Sequence, residues 1–328
     1  MKRTYVFNGD ADGLCALQQL RLAGGGAHAE AEELVTGVKR DIALLDRVTT
    51  GARAGDACTV LDISLDVNRT ALMALLETGV HVRYFDHHFA GDLPRHPGLE
   101  PHIDLSPNVC TALLVDRSLD GRFRSWAITG AFGDSLTDEA RAMATAAGIA
   151  PADAERLREL GVAINYNAYG ETLADLHVTP TELAAEMLPY ADPLDFAARS
   201  GTFRRLAEGF KEDMARARQL APARRRAGAL MFVLPDLAWA RRASGTLAND
   251  LAKAHAGDAI AIVSTKSGGG YLVSVRVPRE SKTSAEEFCR RFPTGGGRRT
   301  AAGINHLPSE QLDEFAAAFE SQFGERIP

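Results

Sequence analysis

Apolar and polar residues alternate along this chain in two rhythms, and the rhythm changes mark its organisation. Over the first ~130 positions, short β-type runs at residues 4–8, 58–63 and 80–86 are separated by stretches with apolar residues at helical spacing, residues 15–22 and 67–77. Strands alternating with helices in this way predict βαβ units and a parallel sheet covered on both faces. From about residue 138 to 226 the pattern is helical and rich in Ala, Glu and Arg, punctuated by Pro180, Pro189 and Pro193. A second β pattern then begins, with runs at residues 229–234, 259–264 and 271–277 and helical segments at 245–255 and 284–292. The expected fold class is therefore α/β: a parallel-sheet N-terminal domain over residues 1–193, a helical linker over 194–227 that includes Arg216, Arg218, Arg224, Arg225 and Arg226, and a smaller α/β domain over 228–328.

Each predicted strand of the first domain runs into acids or histidines. Asn8-Gly9-Asp10-Ala11-Asp12-Gly13 follows the first strand and opens a helix, with Gly13 expected to let the backbone turn sharply. Asp62 follows Thr59-Val60-Leu61. Val82-Arg83-Tyr84-Phe85 leads directly into Asp86-His87-His88. Asp134 follows the small-residue stretch Ala127-Ile128-Thr129-Gly130-Ala131-Phe132-Gly133. Taken singly, each has an ordinary reading: a capping aspartate, a strand-end turn, a surface loop with two histidines. Together they place Asp10, Asp12, Asp62, His87 and Asp134 at the ends of separate elements, and in open parallel sheets ligands bind at the carboxyl edge. Carboxylate oxygen with imidazole nitrogen suits divalent cations, and paired cations serve phosphoryl hydrolysis.

Composition narrows the partner. The chain has 328 residues, 45% hydrophobic and 24% charged, with a formal net charge of −6. An acidic chain argues for a small phosphorylated substrate over a long duplex. The four cysteines, Cys15, Cys58, Cys110 and Cys289, are scattered, so neither a disulfide framework nor a thiolate metal site is expected. No apolar run reaches membrane-span length and no targeting segment is read, which makes a cytoplasmic location the expectation.

These segments resemble the DHH phosphoesterase superfamily. Asp10-Ala11-Asp12, Asp62 in Leu-Asp-Ile-Ser, Asp86-His87-His88 and Asp134 match its motifs in order. Ser274-Val275-Arg276 followed by Gly295-Gly296-Gly297-Arg298-Arg299 is similar to its associated substrate domain. The resemblance implies a two-metal phosphoesterase with Mn²⁺ or Mg²⁺, one ion on Asp10 and Asp62, the other on Asp12, Asp62, His87 and Asp134. His88 would lie at the substrate phosphate and Asp86 would orient a histidine. Arg276, Gly295, Gly296, Gly297, Arg298 and Arg299 would bind substrate, with lesser roles for Lys266 and Lys282. The substrate class is a short single-stranded oligonucleotide, a cyclic dinucleotide or a polyphosphate; a homodimer stays open.

Two departures stand out. The family's histidine four residues before the first aspartate falls at Val6, and the alternative two before it falls at Asn8. The family's histidine after the glycine run is Arg298, which binds phosphate but does not act as an acid or base. The first departure motivates a competing expectation, a non-catalytic nucleotide- or metal-binding module. Asn165-Tyr166-Asn167-Ala168-Tyr169-Gly170-Glu171 is a polar-aromatic cluster that reads either as a base-stacking platform or as a helix end.

Overall fold

The computed structural model describes residues 2–25 and 32–324. The chain divides into two units, Met1–Gly209 and Phe210–Pro328, each built on its own sheet.

In the first unit β1 (Arg3–Asn8), β2 (Glu32–Gly37), β3 (Ala57–Leu61), β4 (His81–Asp86) and β5 (Leu99–Ile103) form a parallel sheet in the order β2-β1-β3-β4-β5. Successive residues of a strand face opposite sides, and the two cores sort accordingly. Phe7, Leu61 and Phe85 pack with the helices Ala11–Ala23, Arg124–Gly133 and Pro151–Asn167. Val6, Val60 and Tyr84 pack on the other face with Leu72, Leu75 and Leu76 of the helix Arg69–Glu77. The three predicted strands are the central ones. The two unpredicted strands, β2 and β5, are the edges: β2 is only partly buried along its first five residues, and β5 contains Pro101, whose missing N–H is tolerated on an edge.

The helical stretch resolves into Thr137–Ala146, Pro151–Asn167, Pro180–Met187, Pro193–Arg199 and Gly201–Ala217. Pro151, Pro180 and Pro193 stand at helix starts, where proline's absent N–H has no partner to lose. Thr179 and Glu182 form a capping box at Pro180–Met187. Thr179→Ala is expected to cost about 1 kcal/mol, read as a lower urea midpoint with an unchanged m-value. The helix does not continue to residue 226. It stops at Ala217, and Arg224–Arg226 pair antiparallel to the next strand as β6.

The second unit holds β6, β7 (Ala229–Leu234), β8 (Ala259–Thr265), β9 (Tyr271–Arg276), β10 (Gly295–Gly297) and β11 (Ala301–Leu307), ordered β10-β11-β9-β8-β7-β6. Only β7 and β8 are parallel among these pairs. The helix Ala238–Ala254 covers one face through Leu247 against Leu230, Phe232, Ile260 and Ile262. Phe288, Phe315 and Phe319, from the helices Ala285–Cys289 and Leu312–Phe323, cover the other against Met231, Ala261 and Val263. Gly269 and Gly270 adopt positive φ in the turn between β8 and β9.

Candidate metal centre

The strand order reverses direction between β1 and β3, the point at which doubly wound sheets bind ligands. Asp10 lies two residues beyond β1, Asp62 directly follows β3, and Asp86 ends β4 with His87 and His88 behind it. Asp10 caps the helix Ala11–Ala23, accepting the N–H groups of Asp12 (3.0 Å) and Gly13 (3.1 Å). Gly13 serves a different purpose from the expected sharp turn. It lies inside the helix, and a Cβ there would stand 2.1 Å from the Asn8 carbonyl oxygen. Asp12 accepts the N–H groups of Thr111 and Ala112, both at 2.7 Å. It thereby caps the helix Thr111–Ser118, whose own N-cap residue, Cys110, makes no such bond. Asp134 follows the last residue of Arg124–Gly133, a helix end that disfavours negative charge.

These elements bring the residues together around His87. Its Nε2 stands 3.4 Å from Asp62 Oδ1, 3.8 Å from Asp12 Oδ2 and 3.8 Å from Asp134 Oδ2. Ligands held about 2.1 Å from a shared ion stand about 3.0–3.4 Å apart, so each carboxylate is within a few tenths of an ångström of sharing an ion with His87. His88 Nδ1 pairs with Asp86 Oδ1 at 2.7 Å and lies 3.8 Å from Asp62 Oδ1. The histidine that Asp86 orients is therefore His88.

The electrostatics mark a place built for added positive charge. Burial, then Asp12, Asp10, Asp134 and Asp86, push the Asp62 carboxyl well above the usual carboxylate range. Burial also raises Asp134, against the pull of Lys39. Asp10 moves down: burial would raise it, but the adjacent Lys39 ammonium outweighs that. For His88, burial favours the neutral ring, and the hydrogen bond to Asp86 overcomes it and raises the pKa. Asp62 itself sits at φ 60°, the left-handed region, a strain that functional positions tolerate. The buried Asp86 Oδ2 and Asn8 Oδ1 have no hydrogen-bond partner in the protein. Oxygen and imidazole donors of this kind fit Mn²⁺ or Mg²⁺.

Of the expected ligands of one ion, Asp12, His87 and Asp134 lie together in one group, while Asp62 groups with His87 and His88. Asp10 instead pairs with Lys39, a residue that the sequence analysis does not single out. Lys39 follows the unpredicted edge strand β2, and nothing in its local pattern signals a role. Its ammonium donates to Asn165 Oδ1 at 2.9 Å, and lies 5.5 Å from the centre of the Tyr169 ring. Its backbone N–H donates to the Ala168 carbonyl at 2.9 Å. The polar-aromatic cluster therefore frames Lys39. Tyr166, fully buried and bonded to His177 at 2.8 Å, is no stacking platform.

The remaining predicted residues belong to the second unit. Gly295, Gly296 and Gly297 form β10, paired with Ile304, Gly303 and Ala302. Arg298 bonds across a tight turn to Ala301, and Arg298 and Arg299 are exposed. Arg276 pairs in register with Ala301, at the same end of the sheet, and donates to Asn249 Oδ1 at 3.0 Å. Lys266 donates to the Asn305 carbonyl at 3.1 Å.

Residues 228–325 match the DHHA1 domain family, and no curated protein matches the chain. Among solved structures, the chain is similar to an exonuclease RecJ bound to manganese, at 22% identity over 98% of this chain and 89% of that one, with a TM-score of 0.63. RecJ from Thermus thermophilus in complex with Mn²⁺ is also 22% identical, with a TM-score of 0.66; 98% of this chain aligns, spanning 52% of that protein. The pGpG-specific phosphodiesterase PggH from Vibrio cholerae is 12% identical over 98% of both chains, with a TM-score of 0.54. The chain thus carries a segment that matches the DHHA1 domain family and shares its fold with these exonuclease and phosphodiesterase structures.

Proposed function

We propose that this protein is a metal-dependent phosphoesterase that hydrolyses a small phosphodiester or phosphoanhydride: a short oligonucleotide, a cyclic dinucleotide or a polyphosphate. The observation that carries the reading is His87 Nε2 standing within 3.8 Å of carboxylates from three separate segments at the carboxyl edge of a parallel sheet. The named activities of the similar structures, an exonuclease and a phosphodiesterase, support the same reaction class.

Asp12, Asp62, His87 and Asp134 would hold Mn²⁺ or Mg²⁺, which supplies charge to neutralise a phosphoryl oxygen and to acidify a water. His88, held through Nδ1 by Asp86, keeps Nε2 for the substrate, where it donates a proton to the leaving oxygen. In the second unit, Arg298 and Arg299 suit bidentate binding of phosphate, with Arg276 at the same sheet end and the glycine strand Gly295–Gly297 beside the turn. The net charge of −6 favours a small anionic substrate over long duplex DNA.

The test is release of phosphate or nucleotide with Mn²⁺ across short RNA and DNA, cyclic dinucleotides, polyphosphate and pyrophosphate. His88→Ala is expected to lower kcat by about 10²-fold with the Mn²⁺ affinity unchanged. Metal binding without turnover on any panel member, together with tight binding of one of them, would overturn the enzyme reading in favour of a binding module.

A further inference from the structure

We propose that Lys39 takes the place of the second divalent cation, so that this chain works with one ion and one built-in ammonium. The inference rests on the metal-dependent reading above and concerns the number of ions that its centre holds.

Several independent observations converge on Asp10. Its carboxylate is already engaged by two backbone N–H groups and by the Lys39 ammonium. Lys39 is fixed from three further directions, by Asn165 Oδ1, by the Tyr169 ring and by the Ala168 carbonyl on its backbone. A surface lysine making a chance ion pair would not be held this way. The imidazole expected beside Asp10 for a second ion is also missing. Val6 is fully buried hydrocarbon packed with Leu44, Val60 and Tyr84, and offers no ligand atom. Asn8 is 5% exposed, and its amide nitrogen donates to the Lys39 carbonyl at 3.3 Å. Its Oδ1 has no partner in the protein, but a single amide oxygen is a weak substitute for imidazole toward a transition metal. Among the described residues, the groups of three or more His, Cys, Asp or Glu side chains close enough to share an ion are Asp62 with His87 and His88, and Asp12 with His87 and Asp134. Neither includes Asp10.

The chemistry is coherent. An ammonium is a compact point charge that needs no ligand set. Beside Asp10 it supplies the positive charge that a cation at that place would supply, independently of metal supply. It offers no open position to bind a water, so the converging set around His87 carries the metal's part alone.

The experiment counts ions on the full chain without reference to turnover. Native mass spectrometry and calorimetry with Mn²⁺ are expected to give one ion per wild-type chain, with the uncoupled six-line electron paramagnetic resonance spectrum of isolated Mn²⁺. Lys39→Met frees Asp10 and is expected to admit a second, weaker ion with a spin-coupled spectrum. Lys39→Arg keeps the charge and is expected to remain at one ion, which covers the case in which Lys39→Met does not fold. Two coupled Mn²⁺ ions in the wild type would overturn the proposal. So would a count of one in a folded Lys39→Met chain. Failure of the phosphoesterase reading has a separate signature, an ion bound without hydrolysis of any panel substrate.

Discussion

Asp62→Asn is expected to abolish metal-dependent turnover while making the metal-free protein more stable. Asparagine keeps the shape of the side chain, and it accepts the left-handed backbone that Asp62 occupies at φ 60° better than most residues do. The Thr111 hydroxyl, 3.3 Å from Asp62 Oδ1, keeps an acceptor. What changes is charge. Asp62 is buried among Asp10, Asp12, Asp86 and Asp134, and burial and these neighbours raise its pKa. A raised carboxyl pKa means that the folded state binds a proton more tightly than the unfolded chain. The metal-free protein therefore loses stability as pH rises from the ordinary carboxylate range through that raised value. The amide removes both the repulsion and this slope. We expect a gain of about 1–2 kcal/mol near neutral pH, or about 3–6 °C in Tm for a unit of this size. The same change removes the most central carboxylate from the cation site, and turnover should fall by about 10³-fold or more. Thermal melts with EDTA and with Mn²⁺, at pH 5 and pH 8, check both halves. A lower metal-free Tm in the variant would show that repulsion is not what Asp62 contributes.

Gly161→Ala, conservative by residue type, should be strongly damaging to the first unit. Local propensity points the other way, since alanine favours a helix interior by about 1 kcal/mol over glycine. Tertiary contact decides. A Cβ at Gly161 would stand 2.2 Å from the Thr129 carbonyl oxygen and 2.9 Å from the Gly133 nitrogen, both backbone atoms of the helix Arg124–Gly133. Gly133 in turn leaves no room on its own side, where a Cβ would stand 2.3 Å from the Ala11 Cβ. The helices must separate, and they carry Asp134 and Asn165 at their ends. We expect a net loss of about 2–3 kcal/mol together with weaker Mn²⁺ binding, because the Asp134 carboxylate is displaced. Gly257→Ala is the control: nothing lies within 4 Å of a Cβ there, and its effect should stay within about 0.5 kcal/mol. Chemical denaturation and calorimetry on the two variants separate the outcomes.

The contrast between these residues explains what could be read from the chain. Asp62, Asp86 and His87 were legible because each follows a continuous apolar run, the signature of a strand buried on both faces. β2 and β5 lack that signature because an edge strand is only partly covered, and β10 because three glycines carry no side-chain pattern. Lys39 was hidden for the same reason, since it follows an unread edge. Its partner Asn165 lies 126 positions along the chain, beyond the reach of any local periodicity. Gly13 was noticed correctly as a glycine position, but its reason is proximity to Asn8 and not a turn. Local rules fail at Asp62 and Asp134, a left-handed aspartate and an acid at a helix carboxyl end, and such failures gather where function outweighs stability.

Cys15 and Cys110 both adjoin the acidic centre, where burial and the neighbouring acids keep them protonated. Burial first, and then the charge of Asp12 with Asp10 for Cys15 and with Asp134 for Cys110, hold both thiols far above the usual range. The thiolate is the form that ligates soft metals and reacts with oxidants. An incoming ion therefore meets oxygen and imidazole nitrogen but no available sulfur. Copper(I) or cadmium, which would outcompete manganese at a thiolate, gain nothing from these neighbours, and peroxide meets the thiols in their slow, protonated form. Burial, reinforced by the surrounding carboxylates, thus keeps both thiols from competing with oxygen and imidazole for an ion.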